Sequence, residues 1–253
     1  MFGTILPIAY LSLNRPQSAE PCLGDYMVEP IKLLTSLRFL VVCGVIIFAA
    51  GCSNLSIKQT PKVLVIGDSI SIGYTPFISE SLKNVSVVSH IEGNAKDSDN
   101  GVIKLHEWIG NATWNIIVFN FGLWDICYRN FKPFSEDNRD KVNGIQAVPI
   151  DRYRSNLELI TAKLKTTGAK LIYINTTVVP PDEPGRFTDD VEKYNDIAEQ
   201  LMQREGIKVV NLQKLSSSFM GGYNKASRDV HYTPEGYQSL AAPVTQAIRS
   251  ELP

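Results

Sequence analysis

Five short apolar runs, rich in β-branched residues, alternate along the chain with longer stretches of helical period. KVLVIG (Lys62 to Gly67), NVSVVSH (Asn84 to His90), NIIVFNFG (Asn115 to Gly122), AKLIYINT (Ala169 to Thr176) and IKVVNL (Ile207 to Leu212) read as buried strands. Helical patterns fill the gaps at Ile72 to Leu82, Gly101 to Ile109, Asp151 to Thr167 and Asp189 to Glu205. A last helix is predicted over Pro234 to Glu251. Thr233 suits its N-cap, since a hydroxyl can accept from the unpaired N–H groups of a first turn. Pro234 has the fixed φ of a first helical residue.

Strand and helix in such alternation call for a parallel sheet covered by helices on both faces. Right-handed crossovers then give an α/β fold, a three-layer α/β/α sandwich with a five-stranded parallel sheet of flavodoxin-like order. Ligands of such sheets bind beyond the carboxyl ends of the strands, which directs attention to the residues just after each run. The segment Ile126 to Pro149 is too long for an ordinary connection, and loops of that length are often functional.

The front of the chain has a different character. FLVVCGVIIFAA (Phe39 to Ala50) is twelve apolar residues, preceded by Lys32 and Arg38 and followed by Gly51 and Cys52. A spanning helix needs ~20 such residues and a secretory signal core roughly 7–15. An apolar core, small residues and then cysteine resembles the lipobox of bacterial lipoproteins, in which the cysteine is lipidated and begins the mature chain. The departure is Ala49, where that pattern more often has Leu. A short buried or anchoring helix is the other reading, and Met27 would begin a signal of ordinary length. The expected organisation is a signal or propeptide region over 1–51, a tether over 52–61 and one domain over 62–253, with lipidation at Cys52. The lipobox implies a membrane partner through a lipid anchor and a place in the cell envelope. Cys127 would then be the one unmodified cysteine of the mature chain.

Composition narrows the function classes. Of 253 residues, 25 are Lys or Arg and 26 Asp or Glu, a net charge of −1 that provides no basic field for nucleic acid. With 44% hydrophobic and 20% charged residues, a disordered chain is excluded. Four scattered cysteines and three histidines make a structural zinc site improbable, and no metal is expected.

Candidate chemistry lies after the strands. Gly67-Asp68-Ser69-Ile70-Ser71 follows the first run and opens a helix. Glycine permits the tight turn, and Ser69 falls where unpaired N–H groups and the positive end of the helix dipole favour a developing oxyanion. Read alone, Ser69 is an N-cap or a nucleophile. A serine nucleophile needs a base, usually histidine, oriented by an acid. His106 lies within a helix and reads as a surface or packing residue, while His90 closes the second strand in a structural or pocket-lining role. His231 lies in a loop before the last helix with Asp229 two residues away, so the loop either presents both to one site or leaves the histidine solvated.

GDSIS after the first strand, FNFGLWD ending the third and DVHYTPEGY before the last helix resemble, in that order, the SGNH (GDSL) hydrolases. The resemblance covers about residues 61–250. NTTVVPPDEPGR and DDVEKYN are similar to stretches of lipoprotein-like bacterial members. It implies Ser69 as nucleophile, His231 as general base and acid, Asp229 as orienting carboxylate, and no cofactor. There are three departures. The commoner pattern has the acid three residues before the histidine, where this chain has Arg228, so Asp229 supplies the carboxylate or the enzyme works with a dyad. The third block is usually Gly-x-Asn-Asp, and here Trp124 replaces the Asn, leaving its single N–H or the Asn120 amide as oxyanion donor. The second block usually offers a glycine N–H, and here the alignment puts Lys96 there with Gly93 just upstream. Asp125 is expected to hydrogen-bond within these loops.

The expected function is a serine esterase that hydrolyses carboxylic esters through an acyl-enzyme. Its substrate would be a small-molecule or polymer acyl ester, such as O-acyl groups on a glycan or envelope polymer. The alternative is an SGNH-fold lipoprotein that binds glycan without hydrolysing it. Arg186 and Trp124 read either as ligands of a carboxylate or sugar ring, or as a solvated loop charge and a packed aromatic. A flavodoxin-like cofactor binder is disfavoured because GDSIS lacks a glycine-rich phosphate loop.

Overall fold

A computed structural model describes residues 59–131, 138–219 and 222–253. The expected signal region 1–51, Cys52 and most of the 52–61 tether lie outside the described residues. In chain order the first elements are β1 (Lys62–Ile66), α1 (Ser69–Leu82), β2 (Val87–His90), α2 (Ser98–Ile109) and β3 (Ile116–Phe119). A hairpin of β4 (Tyr128–Arg129) and β5 (Ile145–Gln146) follows, then α3 (Ile150–Lys165), β6 (Lys170–Ile174) and α4 (Thr188–Arg204). The chain closes with β7 (Lys208–Val210), α5 (Leu212–Phe219) and α6 (Pro234–Glu251).

β2, β1, β3, β6 and β7 form one parallel sheet in that spatial order, the five-stranded sheet expected. β3 is buried at every residue and β1 at all but Lys62, as strands covered on both faces must be. α1 packs on α6, while α2 packs on α3 and α3 on α4, which supplies the two helical layers. Each expected strand is present but shorter. Gly67, the Asn120–Gly122 segment, Asn175, Thr176 and Asn211 continue past the last ladder position and turn over the carboxyl edge instead.

Two helices begin a turn earlier than their apolar pattern, and side-chain capping is the reason. Asp68 accepts from the Ile70 N–H at 2.9 Å, so α1 starts at Ser69. Asp97 accepts from the Asn100 N–H at 3.0 Å, so α2 starts at Ser98. At α6 the expected cap holds: Thr233 Oγ1 accepts from the Gly236 N–H at 3.3 Å and Pro234 opens the helix.

The long connection after β3 is docked on a second loop. The Tyr128 N–H donates to the Gly185 carbonyl at 2.7 Å and the Lys141 N–H to the Pro184 carbonyl at 3.2 Å. Thus the β4–β5 insertion and the 180–187 loop form one wall at the carboxyl edge. Among the described residues no helix is long and apolar enough to cross a membrane.

Candidate active site

Ser69 is the first residue of α1. The turn that delivers it depends on Gly67, where a Cβ would stand 2.7 Å from Ser71 Oγ. His231 and Asp229 come from the loop before α6, which is held by backbone bonds from Lys225 N–H to the His231 carbonyl (3.0 Å) and Thr233 N–H to the Tyr223 carbonyl (2.7 Å). Between Val230 and the N-cap Thr233, Tyr232 is fully buried and anchors the loop in the core.

These elements bring three side chains into one chain of hydrogen bonds. Ser69 Oγ lies 2.9 Å from His231 Nε2, and His231 Nδ1 lies 2.6 Å from Asp229 Oδ1. The same carboxylate oxygen accepts the His231 backbone N–H at 3.0 Å. Burial raises the Asp229 carboxyl, but the His231 N–H, the His231 ring and nearby Lys225 outweigh it and hold it below the usual carboxylate range. Asp229 is therefore ionised near neutral pH and fixes the proton on Nδ1, which leaves Nε2 to accept from Ser69. A carboxylate two residues before the histidine thus reaches its ring.

The residues expected around the oxyanion are distributed unevenly. Lys96 has φ of 60°, a left-handed conformation that fits the glycine expected at this place in the second block. The preceding Ala95 N–H donates to the Gly67 carbonyl at 2.9 Å, which ties this loop to the turn carrying Ser69. The Lys96 N–H itself donates to Asn94 Oδ1 at 2.7 Å. Gly93 is exposed and a Cβ there would meet open space, so it stands outside the packed loop. Asn120 is buried and donates through Nδ2 to the Ile174 carbonyl at 2.7 Å, bracing the end of β3 against β6. Trp124 is half-buried, with the Arg129 guanidinium 5.0 Å above its ring.

Asp125 behaves as expected, as a loop brace. It is fully buried and its Oδ1 accepts from the Ser98 N–H at 2.9 Å, joining the third block to the N-terminus of α2. Burial pushes its pKa up to about 7, against the opposing Ser98 hydrogen bonds.

Other residues matter that sequence reasoning passed over or read differently. Asp68 is buried, and burial raises its carboxyl against the Ile70 N–H and the charges of Arg186 and His231. His90 takes the structural role: Nδ1 lies 2.7 Å from the Ile91 carbonyl and Nε2 2.7 Å from Ser71 Oγ. Burial lowers its pKa and favours the neutral ring, so Nδ1–H donates and Nε2 accepts. His106 is exposed on α2, as expected of a surface residue. Arg186 is not a solvated loop charge. It is 6% exposed, its Nε–H donates to the Leu123 carbonyl at 2.6 Å, and its Nη1 pairs with the buried Glu183 at 2.8 Å. Glu183 also pairs with Arg139 of the insertion at 2.8 Å. The only signal for this cluster was the excess length of the insertion, which says nothing of its partners. Among the described residues no group of His, Cys, Asp and Glu could hold a metal ion.

Residues 65–239 match the GDSL-like lipase/acylhydrolase family. The chain belongs to that family. It is a hydrolase acting on ester bonds, and its α/β architecture is shared by solved SGNH hydrolases. It is similar to a lipase/acylhydrolase from Enterococcus faecalis, with a TM-score of 0.62 at 17% identity over 76% of this chain and 97% of that one. A GDSL-like lipase from Bacteroides thetaiotaomicron superposes with a TM-score of 0.57 at 21% identity, covering 77% and 91%. A variant of an acetyl xylan esterase from Geobacillus stearothermophilus gives a TM-score of 0.58 at 15% identity, covering 74% and 94%. At these identities the likeness concerns the fold. No curated protein sequence matches the chain.

Proposed function

We propose that this acylhydrolase is a serine esterase in which Ser69 is the nucleophile, His231 the general base and acid, and Asp229 the orienting carboxylate. The hydrogen-bonded series Asp229–His231–Ser69 carries this reading. Ser69 Oγ attacks the ester carbonyl carbon while His231 Nε2 takes its proton. The C–O bond to the alcohol then breaks, and His231 returns the proton to the departing oxygen. Water, deprotonated by the same imidazole, attacks the acyl-enzyme and releases the acid.

The oxyanion of each tetrahedral intermediate is held by backbone N–H groups, those of Ser69 and Lys96. The left-handed Lys96 backbone and the Ala95–Gly67 bond support the second assignment, with Asn94 Oδ1 as the group Lys96 leaves or shares when substrate binds. The Asn120 amide has one further N–H beyond that given to Ile174. The competing reading, a glycan binder without hydrolysis, would be favoured by Asp229 turned away from His231, and the 2.6 Å contact speaks against it.

The test is hydrolysis of short-chain aryl esters by the purified protein beside Ser69→Ala. Loss of at least ~10³-fold in kcat is expected, and equal turnover by both proteins ends the serine mechanism. An O-acylated glycan or envelope polymer is the natural substrate proposed, because the FLVVCGVIIFAAGC segment fits a lipid-anchored envelope protein. Cys52→Ser should release the protein from membranes, and unchanged membrane association would remove the anchor from the proposal.

A further inference from the structure

A cavity of about 340 Å³ opens beside His231 and is lined by Arg139, Pro184, Ala226, Arg228, Asp229 and His231. Among the described residues its charges are two guanidinium groups and one carboxylate, and that carboxylate is committed to the His231 ring and backbone. Arg139 is half-buried and pairs with Glu183, which also serves the buried Arg186. Arg228 is exposed and held by its Nε–H on the Asp182 carbonyl at 2.8 Å. Among the described residues its terminal nitrogens make no hydrogen bond, which leaves a planar fork suited to a carboxylate or phosphate. The adjoining hollow adds Lys141, Asp140 and Asp182, and the Asp140 carboxylate is already used by the Val142 and Asn143 N–H groups.

The position of this cavity assigns it to one side of the ester. His231 must return its proton to the departing alcohol oxygen, so the alcohol lies on the imidazole side of the scissile bond. The acyl oxygen lies on the other side, toward the Ser69 N–H. An alcohol leaving across His231 extends into the space lined by Arg139 and Arg228.

We infer that Arg228, on the cavity wall it shares with Arg139, binds an anionic group on the alcohol portion of the substrate, so that this chain prefers esters of acidic alcohols such as uronates or sugar phosphates. This inference rests on the serine-esterase reading above. Three aryl acetates and two further phenyl esters test it with the full-length protein. 4-Acetoxybenzoate and 4-acetoxyphenyl phosphate carry the charge on the alcohol, methyl 4-acetoxybenzoate is the neutral comparison, and phenyl hemisuccinate against phenyl butyrate moves the charge to the acyl side.

The expected result is a kcat/KM about tenfold higher for an alcohol-side anion than for the neutral ester. Arg228→Gln should shrink that ratio toward one, and added salt should shrink it in the native protein. Whichever of the two anions is preferred identifies the carboxylate or the phosphate as the group read. A ratio near one in the native protein, a ratio untouched by Arg228→Gln, or a preference confined to phenyl hemisuccinate overturns the inference. The esterase reading fails separately, if Ser69→Ala turns these esters over as the native protein does. Should no ester be hydrolysed, binding to Ser69→Ala protein decides: tighter binding of 4-acetoxybenzoate than of its methyl ester, lost on adding Arg228→Gln, supports the anion site, and equal binding rejects it.

Discussion

A carboxylate two residues before its histidine reaches the ring only if the backbone between them turns back, and in this chain Asp229 does so by using one oxygen twice. Its Oδ1 accepts both the His231 backbone N–H and the Nδ1 proton, at 3.0 and 2.6 Å. The backbone bond holds the carboxylate in place and the ring bond sets the tautomer. Asp229→Asn is therefore expected to keep the loop, its amide oxygen still accepting both N–H groups, but to remove the negative charge that stabilises the imidazolium formed when Ser69 gives up its proton. Steady-state kinetics should show kcat down by about 10³–10⁴-fold with KM little changed, the behaviour of an orienting acid. A drop below tenfold would mean that a Ser69–His231 dyad suffices. The three residues of this series were legible in the sequence because each sits in a short local string, GDSIS or DVHYTPEGY. The Arg186–Glu183–Arg139 cluster was not, since its members come from two loops whose pairing only the folded chain reveals.

At the scale of elements, the wall beside the site is built from two irregular segments, and a single buried carboxylate joins them. Glu183 is fully buried, accepts from Arg139 of the insertion and Arg186 of its own loop, and its other oxygen accepts the Gly185 N–H at 2.7 Å. Glu183→Gln takes away the carboxylate that Arg139 shares with the almost wholly buried Arg186. Removing one member of a buried ion cluster is expected to cost about 3 kcal/mol, read as a lower denaturation midpoint. Because Arg186 also holds the Leu123 carbonyl, activity should fall along with stability. Unchanged stability would show that the insertion is held by its backbone bonds alone. The insertion's structure was invisible beforehand for a physical reason: strands of two residues, β4 and β5, are too short to show a period. α5 escaped as well, because its serines suggest a loop. In the fold Ser216 and Ser217 donate to the Leu212 and Gln213 carbonyls, so the hydroxyls are absorbed by the helix itself. The five sheet strands were legible because burial on both faces leaves a continuous apolar run, but four were overextended by one to three residues at the amino end, and four at the carboxyl end, which builds the site.

For the whole molecule, the strand order puts β1 and β3 side by side at the centre, so the turn carrying Ser69 and the block carrying Asp125 leave the sheet as neighbours. That arrangement buries a carboxyl group where water cannot reach it, and folding stability must register the fact. Among the described residues Asp125 Oδ2 has no hydrogen-bond partner, and burial lifts the pKa from 3.8 to about 7. A carboxyl raised in the folded state binds its proton more tightly there than in the unfolded chain. Its favourable contribution is complete below the unfolded pKa and is lost as pH rises through about 7. Asp229, Glu205 and Glu251 are shifted the opposite way and gain stability as pH rises, so the native profile alone would mix the two effects. The comparison with Asp125→Asn separates them, because the amide oxygen can still accept from the Ser98 N–H while the titration is removed. Relative to that variant, the native protein should be most favoured near pH 4 and lose that advantage progressively up to about pH 7. The difference is read from chemical denaturation midpoints at matched ionic strength. A difference that stays constant with pH would mean that Asp125 has the same pKa in the folded and unfolded chain, and that burial does not raise it.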